Sequence, residues 1–158
     1  MHTITRRLEF DAGHRVYQHE SKCAHVHGHR YVVEVEATNT LDDLGRVIDF
    51  SVIKSVFGKW IDDNLDHGMI LFKDDPFVSV WQNPVMPTGF VGGEPIGEPV
   101  GGGALAGQKY YVMDANPTAE HMAEMLFNKA VELLGDTGIT ITQITVHETP
   151  NCRAVYRP

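Results

Sequence analysis

The run Cys23-Ala24-His25-Val26-His27-Gly28-His29 places one thiol and three imidazoles within seven residues, and a clear strand pattern follows it directly. From Tyr31 to Ala37, apolar residues alternate with a second set that includes two glutamates, which predicts a β-strand with one buried face. Residues two apart in a strand point to the same side, roughly 6.5 to 7 Å apart. His27 and His29 are therefore expected on the apolar face, where two imidazoles can converge on one ion. Gly28 lets the backbone bend between them.

The N-terminal segment supplies a third imidazole. Phe10, Ala12 and His14 share one face of a strand by the same alternation. If this strand pairs antiparallel with the next one, His14 meets His27 and His29. Three neutral histidines with an open fourth position are typical of a catalytic zinc, whereas a structural zinc is normally closed by four protein ligands. We therefore predict that these three histidines bind Zn²⁺, which would polarise a substrate oxygen.

Two other interpretations of the same residues remain open. In the first, Cys23 is a fourth zinc ligand, which would make a closed structural site in a binding module without catalysis. In the second, the ion activates water for hydrolysis, which needs a free carboxylate base near the ion and no thiol. Three further histidines of the N-terminal region, His2, His19 and His25, are expected to have no chemical role.

Length and composition are those of an ordinary globular protein. The chain has 158 residues, of which 42% are hydrophobic and 22% are charged, and this suits a single domain over residues 1–158 with a real core. No run approaches roughly 18 apolar residues and no signal-peptide pattern is present, so we expect a cytoplasmic protein with no membrane partner. In that compartment Cys23 and Cys152 are expected to stay free thiols.

The charge of the chain argues against a nucleic-acid partner. Its formal net charge is −8, whereas nucleic-acid binders usually show a concentrated basic face. An anionic small substrate remains open, because three cationic residues lie close in sequence to the predicted site. They are Arg15, Lys22 and Arg30, and each is individually expected to be a solvated surface residue.

The periodicity of the rest of the chain predicts two helices and two further strands. Asp49 is placed to cap a helix whose apolar residues recur at helical spacing as far as Leu65. Pro117 begins a second helix, which Gly135 ends. Two strands close the chain, and the first directs Glu148 to its apolar face. The order ββααββ predicts an α+β fold in which a four-stranded antiparallel sheet carries two helices on one face, and its uncovered outer strands favour pairing between subunits.

Residues 76–109 differ from the rest of the chain. They hold eight of the fifteen glycines and five of the eight prolines, so regular structure is expected to be sparse there. We predict a tolerated surface insertion, which is either a mobile flap or an irregular hairpin framed by residues 78–81 and 110–113.

Six short motifs occur in an order that resembles a known family. They are Phe10-Asp11-Ala12-Gly13-His14, the Cys-x3-His-Gly-His run from Cys23 to His29, Val47-Ile48-Asp49-Phe50, Leu65-Asp66-His67, Asn116-Pro117-Thr118-Ala119-Glu120 and His147-Glu148-Thr149-Pro150. Together they resemble the 6-pyruvoyltetrahydropterin synthase and 6-carboxytetrahydropterin synthase family, which has the tunnelling fold. The resemblance covers most of the chain outside residues 76–109, an insert that is longer than the family pattern implies.

The resemblance implies catalytic roles for particular residues. The three histidines would hold zinc, Cys23 would be the general base, and Asp66 and His67 would be the proton-relay partners. Cys23 and the Asp66–His67 pair would move protons on opposite sides of the substrate side chain.

The resemblance also implies how the substrate binds. Glu148 resembles the family's pterin anchor, since a carboxylate accepts two hydrogen bonds from the amino group and the adjacent N–H of the ring. Thr118 and Glu120 match a second segment that contacts the pterin.

The implied substrate is 7,8-dihydroneopterin triphosphate. The short Cys-x3-His-Gly-His spacing resembles the 6-carboxytetrahydropterin branch of 7-deazapurine (queuosine-type) biosynthesis, in which side-chain cleavage releases acetaldehyde and triphosphate. The sister branch, which eliminates triphosphate and forms a pyruvoyl product, is the alternative. The resemblance further implies a homohexamer made of two stacked trimers, with active sites between subunits.

Overall fold

Two long antiparallel strands dominate the fold. The computed structural model describes residues 1–82, 90–91, 94–95 and 107–158. Strand β1 spans His2–His14 and strand β2 spans His27–Asn39, and they pair along their whole length so that His14 lies opposite His27. The alternation predicted for β2 is confirmed, because its apolar side chains are fully buried. These are Tyr31, Val33, Val35 and Ala37.

The main sheet has six strands. The remaining strands of the described chain are β3 (Gly68–Phe72), β4 (Phe90–Val91), β5 (Glu94–Pro95), β6 (Tyr110–Met113), β7 (Thr140–Thr149) and β8 (Cys152–Tyr156). The order of the main sheet is β6-β3-β1-β2-β7-β8, and β4 and β5 form a separate pair. β7 and β8 continue the antiparallel ladder from β2, whereas β3 lies parallel to β1 and β6 parallel to β3. The α+β class is confirmed, but the prediction of four strands is wrong because two parallel strands extend the sheet beyond β1.

Strand β3 is covered by protein on both faces. Ile70 packs into the main core, while Met69 and Leu71 pack on the other face against Val78. A strand buried on both faces is a continuous apolar run without alternation. Its five residues therefore show no strand periodicity in the sequence.

The helices lie on both faces of the sheet, since the one that contains Val78 packs on the face of β3 away from the main core. They are α1 (Phe50–Ile53), which continues through a π-helical turn (Lys54–Gly58) into α2 (Lys59–Asn64), then α3 (Phe77–Gln82) and α4 (Ala119–Leu134). Asp49 caps the first stretch by accepting a hydrogen bond from Ser51 N, and Thr118 caps α4 by accepting one from His121 N. Phe57 and Leu126, one from each stretch, are fully buried in the same core as β1 and β2. The two predicted helices are thus confirmed, and no helix of the described residues is both long and apolar enough to cross a membrane.

The insert is described in part, and its predicted frame is wrong. Residues 78–81 lie in the helix α3, and residues 110–113 form β6, which pairs with β3 instead of closing a hairpin. Helix α3 begins where the Asp75 carboxylate accepts a hydrogen bond of 2.8 Å from Phe77 N. The prediction of a mobile flap concerns residues that mostly lie outside the described part of the chain.

Candidate metal centre and active site

Three imidazoles meet at the end of the β1–β2 ladder. His14 is the last residue of β1 and lies opposite His27, and His29 follows two residues further along the same face of β2. The nearest ligand nitrogens of the three rings all lie within 4.8 Å of one another, and the two Nε2 atoms of His14 and His27 are 3.1 Å apart. Gly28 permits the close pairing of β1 and β2 at this point, because a Cβ there would lie 3.0 Å from the carbonyl oxygen of Ala12.

Two backbone carbonyls define which nitrogens of His14 and His27 face each other. His14 Nδ1 lies 2.8 Å from the carbonyl oxygen of Pro117, and His27 Nδ1 lies 2.7 Å from that of His25. A carbonyl only accepts, so Nδ1 carries the proton and donates in both rings. In the neutral rings both Nε2 atoms then present lone pairs across 3.1 Å, an arrangement that a cation between them satisfies.

Burial keeps two of these rings neutral. Desolvation by burial lowers the pKa of His14 and of His29, and the neighbouring His27 lowers both further. His29 Nε2 is buried and has no hydrogen-bond partner in the described structure. Because a metal binds the neutral imidazole, lowered pKa values favour metal binding near neutral pH. Two nitrogens that present lone pairs and the unpartnered Nε2 of His29 therefore form a donor set that fits a transition metal with imidazole ligands, such as zinc.

The carboxylate of Glu148 lies beside two of the three imidazoles. Oε1 of Glu148 lies 3.5 Å from His14 Nε2 and 3.8 Å from His29 Nε2. Glu148 belongs to β7, whose antiparallel pairing with β2 places it on the apolar side of the sheet. The sequence prediction that Glu148 shares the face of its apolar neighbours and needs a partner agrees with this position.

A cavity of about 200 Å³ has in its wall Glu148, the carboxylate that lies beside His14 and His29. Among the residues that line it are Cys23, Thr118, Glu120 and Glu148. Cys23 is a half-buried free thiol in a 3₁₀ turn, Lys22–Ala24, and its carbonyl accepts a hydrogen bond of 2.7 Å from Val16 N. The structure therefore brings the predicted base and the predicted substrate-binding residues to one cavity.

Cys23 lies outside the cluster of ligand atoms. Among the described His, Cys, Asp and Glu side chains, the group that could hold a metal consists of His14, His27 and His29 alone. A closed structural site with Cys23 as the fourth ligand does not match this geometry. Three ligands instead leave room for a substrate atom on the ion.

Asp66 and His67 lie apart from that cavity. Asp66 accepts hydrogen bonds from Asp11 N at 2.9 Å and from His67 Nδ1 at 2.6 Å. Burial alone raises the pKa of Asp66, but these hydrogen bonds outweigh it and lower the pKa overall. His67 borders a depression that Asp11, Arg30 and His29 also line, so one residue of the imidazole cluster reaches this depression. The Asp66–His67 pair itself lies outside the cavity that Cys23 and Glu148 line.

The structure adds residues that sequence reasoning missed. Arg15, expected to be solvated, forms a bidentate pair with the buried carboxylate of Asp75, with Nε 2.6 Å from Oδ2. The phenol of Tyr31 is fully buried beneath the histidines, and burial raises its pKa, so it stays protonated. Alternation placed Tyr31 on this face, but only the three-dimensional structure shows that its hydroxyl lacks a hydrogen-bond partner. The carbonyl of Pro117 gave no signal, since every residue has one.

The fold and the site define an α+β protein with three histidines placed to hold a metal beside a thiol-lined cavity. The chain belongs to the 6-pyruvoyl tetrahydropterin synthase family, whose model matches residues 3–158. This confirms the predicted family and the prediction that the protein is an enzyme.

Relatives and solved structures agree with this assignment. A protein of Rickettsia conorii named 6-carboxy-5,6,7,8-tetrahydropterin synthase is 42% identical over 150 residues, which cover 94% of each chain. A probable 6-carboxy-5,6,7,8-tetrahydropterin synthase of Halobacterium salinarum is 31% identical over 145 residues, covering 92% of this chain and 79% of the relative. A crystal structure of an uncharacterized protein from Wolinella succinogenes, 26% identical, superposes with a TM-score of 0.78 over 99% of this chain and 97% of the other. The 6-pyruvoyl tetrahydropterin synthase of Caenorhabditis elegans, 20% identical, shares the fold with a TM-score of 0.62 over 99% and 94% of the two chains.

Proposed function

We propose that this protein is a zinc-dependent 6-carboxy-5,6,7,8-tetrahydropterin synthase of 7-deazapurine (queuosine-type) biosynthesis. It would convert 7,8-dihydroneopterin triphosphate and water to 6-carboxytetrahydropterin, acetaldehyde and triphosphate. The observation that carries the proposal is the convergence of three imidazoles, two of which lie beside Glu148, a residue that lines a cavity together with Cys23. The names of the Rickettsia and Halobacterium relatives support the choice of reaction.

The metal ligands of the proposal are His14, His27 and His29. When bound, zinc supplies a positive charge that polarises a substrate oxygen and stabilises the negative charge that develops on it. The hydrogen bonds from His14 Nδ1 and His27 Nδ1 to backbone carbonyls hold both rings in the tautomer that a metal requires.

Glu148 anchors the pterin in this proposal. Its carboxylate accepts two hydrogen bonds from the amino group and the adjacent ring N–H of the pterin, a bidentate arrangement that fixes the orientation of the ring. Thr118 and Glu120 line the same cavity from the start of α4. They are the second group of pterin contacts, although the Thr118 hydroxyl also caps the helix.

Cys23 acts as the general base. Its sulfur takes a proton from the substrate side chain within the cavity. The carbon–carbon bond to the two outer carbons then breaks and the triphosphate group leaves, so that these carbons depart as acetaldehyde and water supplies the second oxygen of the carboxylate that stays on the pterin. Asp66 and His67 form the relay on the opposite side of the side chain. The Asp66 carboxylate fixes the Nδ1 proton of His67, which leaves His67 Nε2 to exchange a proton with substrate.

A second copy of the chain is part of the proposal. The Asp66–His67 pair does not line the cavity that Cys23 lines, and the side chain of His67 is 78% exposed in one chain. A relay pair that reaches the cavity of a neighbouring subunit would complete the site. We therefore propose a homohexamer made of two trimers, with active sites between subunits.

The test is an anaerobic incubation of the zinc-loaded protein with 7,8-dihydroneopterin triphosphate. Acetaldehyde, triphosphate and the pterin product are measured for the unaltered protein, for Cys23→Ala and for Cys152→Ala, a control that removes the second thiol lining the same cavity. Formation of acetaldehyde and 6-carboxytetrahydropterin, lost only in Cys23→Ala, is the expected result. A pyruvoyl product would assign the protein to the sister branch, and no turnover by the zinc-loaded protein would overturn the assigned chemistry.

A further inference from the structure

The hydroxyl of Tyr31 is a polar group in a part of the core where packing does not require one. Its side chain is 0% exposed, and its hydroxyl has no hydrogen-bond partner among the described residues. An unpaired buried hydroxyl destabilises a protein, and phenylalanine would fill nearly the same volume without that cost. The hydroxyl therefore needs an explanation other than packing.

The ring of Tyr31 is held at the floor of the metal centre. It stacks on Phe10 with the ring centroids 5.1 Å apart. It also makes edge contacts with His14 and His29, at centroid distances of 5.8 and 5.6 Å. The hydroxyl is thus a protonated donor carried by a ring that packing fixes against two of the three imidazoles.

Glu148 is the acceptor beside this donor. The register pairs Val33 with Val146, two residues before Glu148, on the buried face of the sheet. Burial, and after it the nearby negative charge of Glu148, raise the pKa of the Tyr31 phenol, so the carboxylate and the phenol lie near each other. The Glu148 carboxylate lies 3.5 and 3.8 Å from the same two imidazoles that Tyr31 contacts.

We propose that Tyr31 is a positioning residue whose hydroxyl donates a hydrogen bond to the Glu148 carboxylate when a metal occupies the three histidines. The Nε2 atoms of His14 and His27 carry no proton, so His29 Nε2 is the imidazole nitrogen that can donate to Glu148 in the metal-free protein. With a metal bound, this nitrogen would hold the ion, and the phenol would supply the donor instead. The bond holds Glu148 in the orientation that accepts the pterin. The part of this inference that concerns the pterin rests on the proposed function, whereas the hydrogen bond between Tyr31 and Glu148 does not.

The first test measures the thermal unfolding of Tyr31→Phe with zinc bound and after removal of zinc by a chelator. In the metal-free protein the substitution removes an unpaired buried hydroxyl, so the Tm of the variant is expected to equal or exceed that of the unaltered protein. In the zinc-bound protein the substitution removes the hydrogen bond to Glu148, so the Tm of the variant is expected to be lower. A change of the same sign in both states would overturn the proposal. In a Glu148→Gln background the zinc-dependent loss should shrink, because a neutral amide is a weaker acceptor.

The second test measures binding of 7,8-dihydroneopterin to the zinc-loaded protein under anaerobic conditions by its fluorescence. A lost hydrogen bond to a charged group predicts that Tyr31→Phe weakens binding about tenfold, with the zinc content unchanged. Tyr156→Phe, in which a tyrosine packed against Phe127 loses its hydroxyl, is the matched control and should bind normally. Unaltered affinity in Tyr31→Phe would contradict the positioning role. Failure of the unaltered protein to bind the pterin would instead count against the proposed function, and the unfolding test would still decide whether the Tyr31–Glu148 bond exists.

Discussion

Backbone carbonyls, which no side-chain motif reveals, orient the ligands of the candidate metal centre. Pro117 lies 103 residues from His14 along the chain, yet its carbonyl accepts the Nδ1 proton of that ring. The contact joins the start of α4 to the end of β1. The position of a helix terminus therefore controls the geometry of the imidazole cluster.

Removing one imidazole should abolish metal binding. His29→Ala leaves two ligands, and because three ligands act together we expect zinc content to fall from about one ion per chain to near zero. Elemental analysis of the dialysed protein measures it. His25→Ala is the matched control, since it removes a neighbouring imidazole but keeps the carbonyl that His27 uses. Full zinc content in His29→Ala would contradict the assignment.

The stability of the metal-free protein should fall as the pH decreases below about 6.5. Burial lowers the pKa of His14 and His29 below the ordinary value of 6.5. The unfolded chain then binds more protons than the folded chain in this window, so the stabilisation is complete above it and is lost as the pH falls. Urea midpoints between about pH 8 and about pH 5 measure the effect. The exposed control His2→Asn should show the same profile, and a flat profile in the unaltered protein would refute the prediction.

The positions of the three histidines could be predicted from the sequence because strand alternation is enough to assign their face. Strand alternation alone places His14, His27 and His29 on one face, because the period of two is fixed by backbone geometry. It could not identify the hydrogen-bond partners of the rings, since a carbonyl is common to every residue. Nor could it separate Cys23 from the ligand set, because that separation depends on how the loop between β1 and β2 folds.

At the level of elements, an ion pair ties the end of β1 to the start of the insert. Arg15 directly follows His14, and its guanidinium pairs with Asp75, which also accepts a hydrogen bond from Phe77 N at the start of α3. The Arg15 guanidinium packs 5.0 Å from the ring centroid of Phe77. One carboxylate therefore fixes both a strand end and a helix start.

Loss of that carboxylate should destabilise the fold. In Asp75→Ala a mostly buried guanidinium loses its partner and α3 loses its first hydrogen bond, so we expect the free energy of unfolding to fall by about 2 kcal/mol. Urea unfolding of the zinc-loaded protein measures this change. The neighbouring exposed Asp74→Ala should change it by less than about 0.5 kcal/mol. Equal effects of the two substitutions would show that the pair contributes little.

Elements with strong periodicity were predictable and the others were not. The helices from Asp49 and from Thr118 show apolar stripes at helical spacing, and their caps are local. Strand β3 was missed because both its faces are buried and it shows no alternation. Strand β6 was predicted as one side of a hairpin, but its true partner, β3, lies about 40 residues earlier in the chain, where no local pattern indicates it. Composition rich in Gly and Pro also concealed α3.

For the whole molecule, the separation of His67 from Cys23 leads to a test by complementation. If each site combines Cys23 of one copy with His67 of another, Cys23→Ala and His67→Ala chains that are refolded together should recover about one quarter of full activity, since half of each kind of residue is intact. Acetaldehyde release measures the recovery. A mixture of Cys23→Ala and Glu148→Ala is the control, because both residues line the same cavity of one chain, and it should stay inactive. No recovery in the first mixture would place the relay within one chain.

The pairing of β1 with β2 also bears on how the chain reaches its fold. A slip by one residue would turn the apolar face of β2 to solvent, so hydrophobic burial excludes it. A slip by two residues keeps every side chain on its own face, and burial resists it much less. It would, however, move His27 roughly 6.5 to 7 Å along the ladder from His14. A metal that needs all three imidazoles stabilises only the correct pairing. Metal binding would therefore favour the correct strand register over one shifted by two residues.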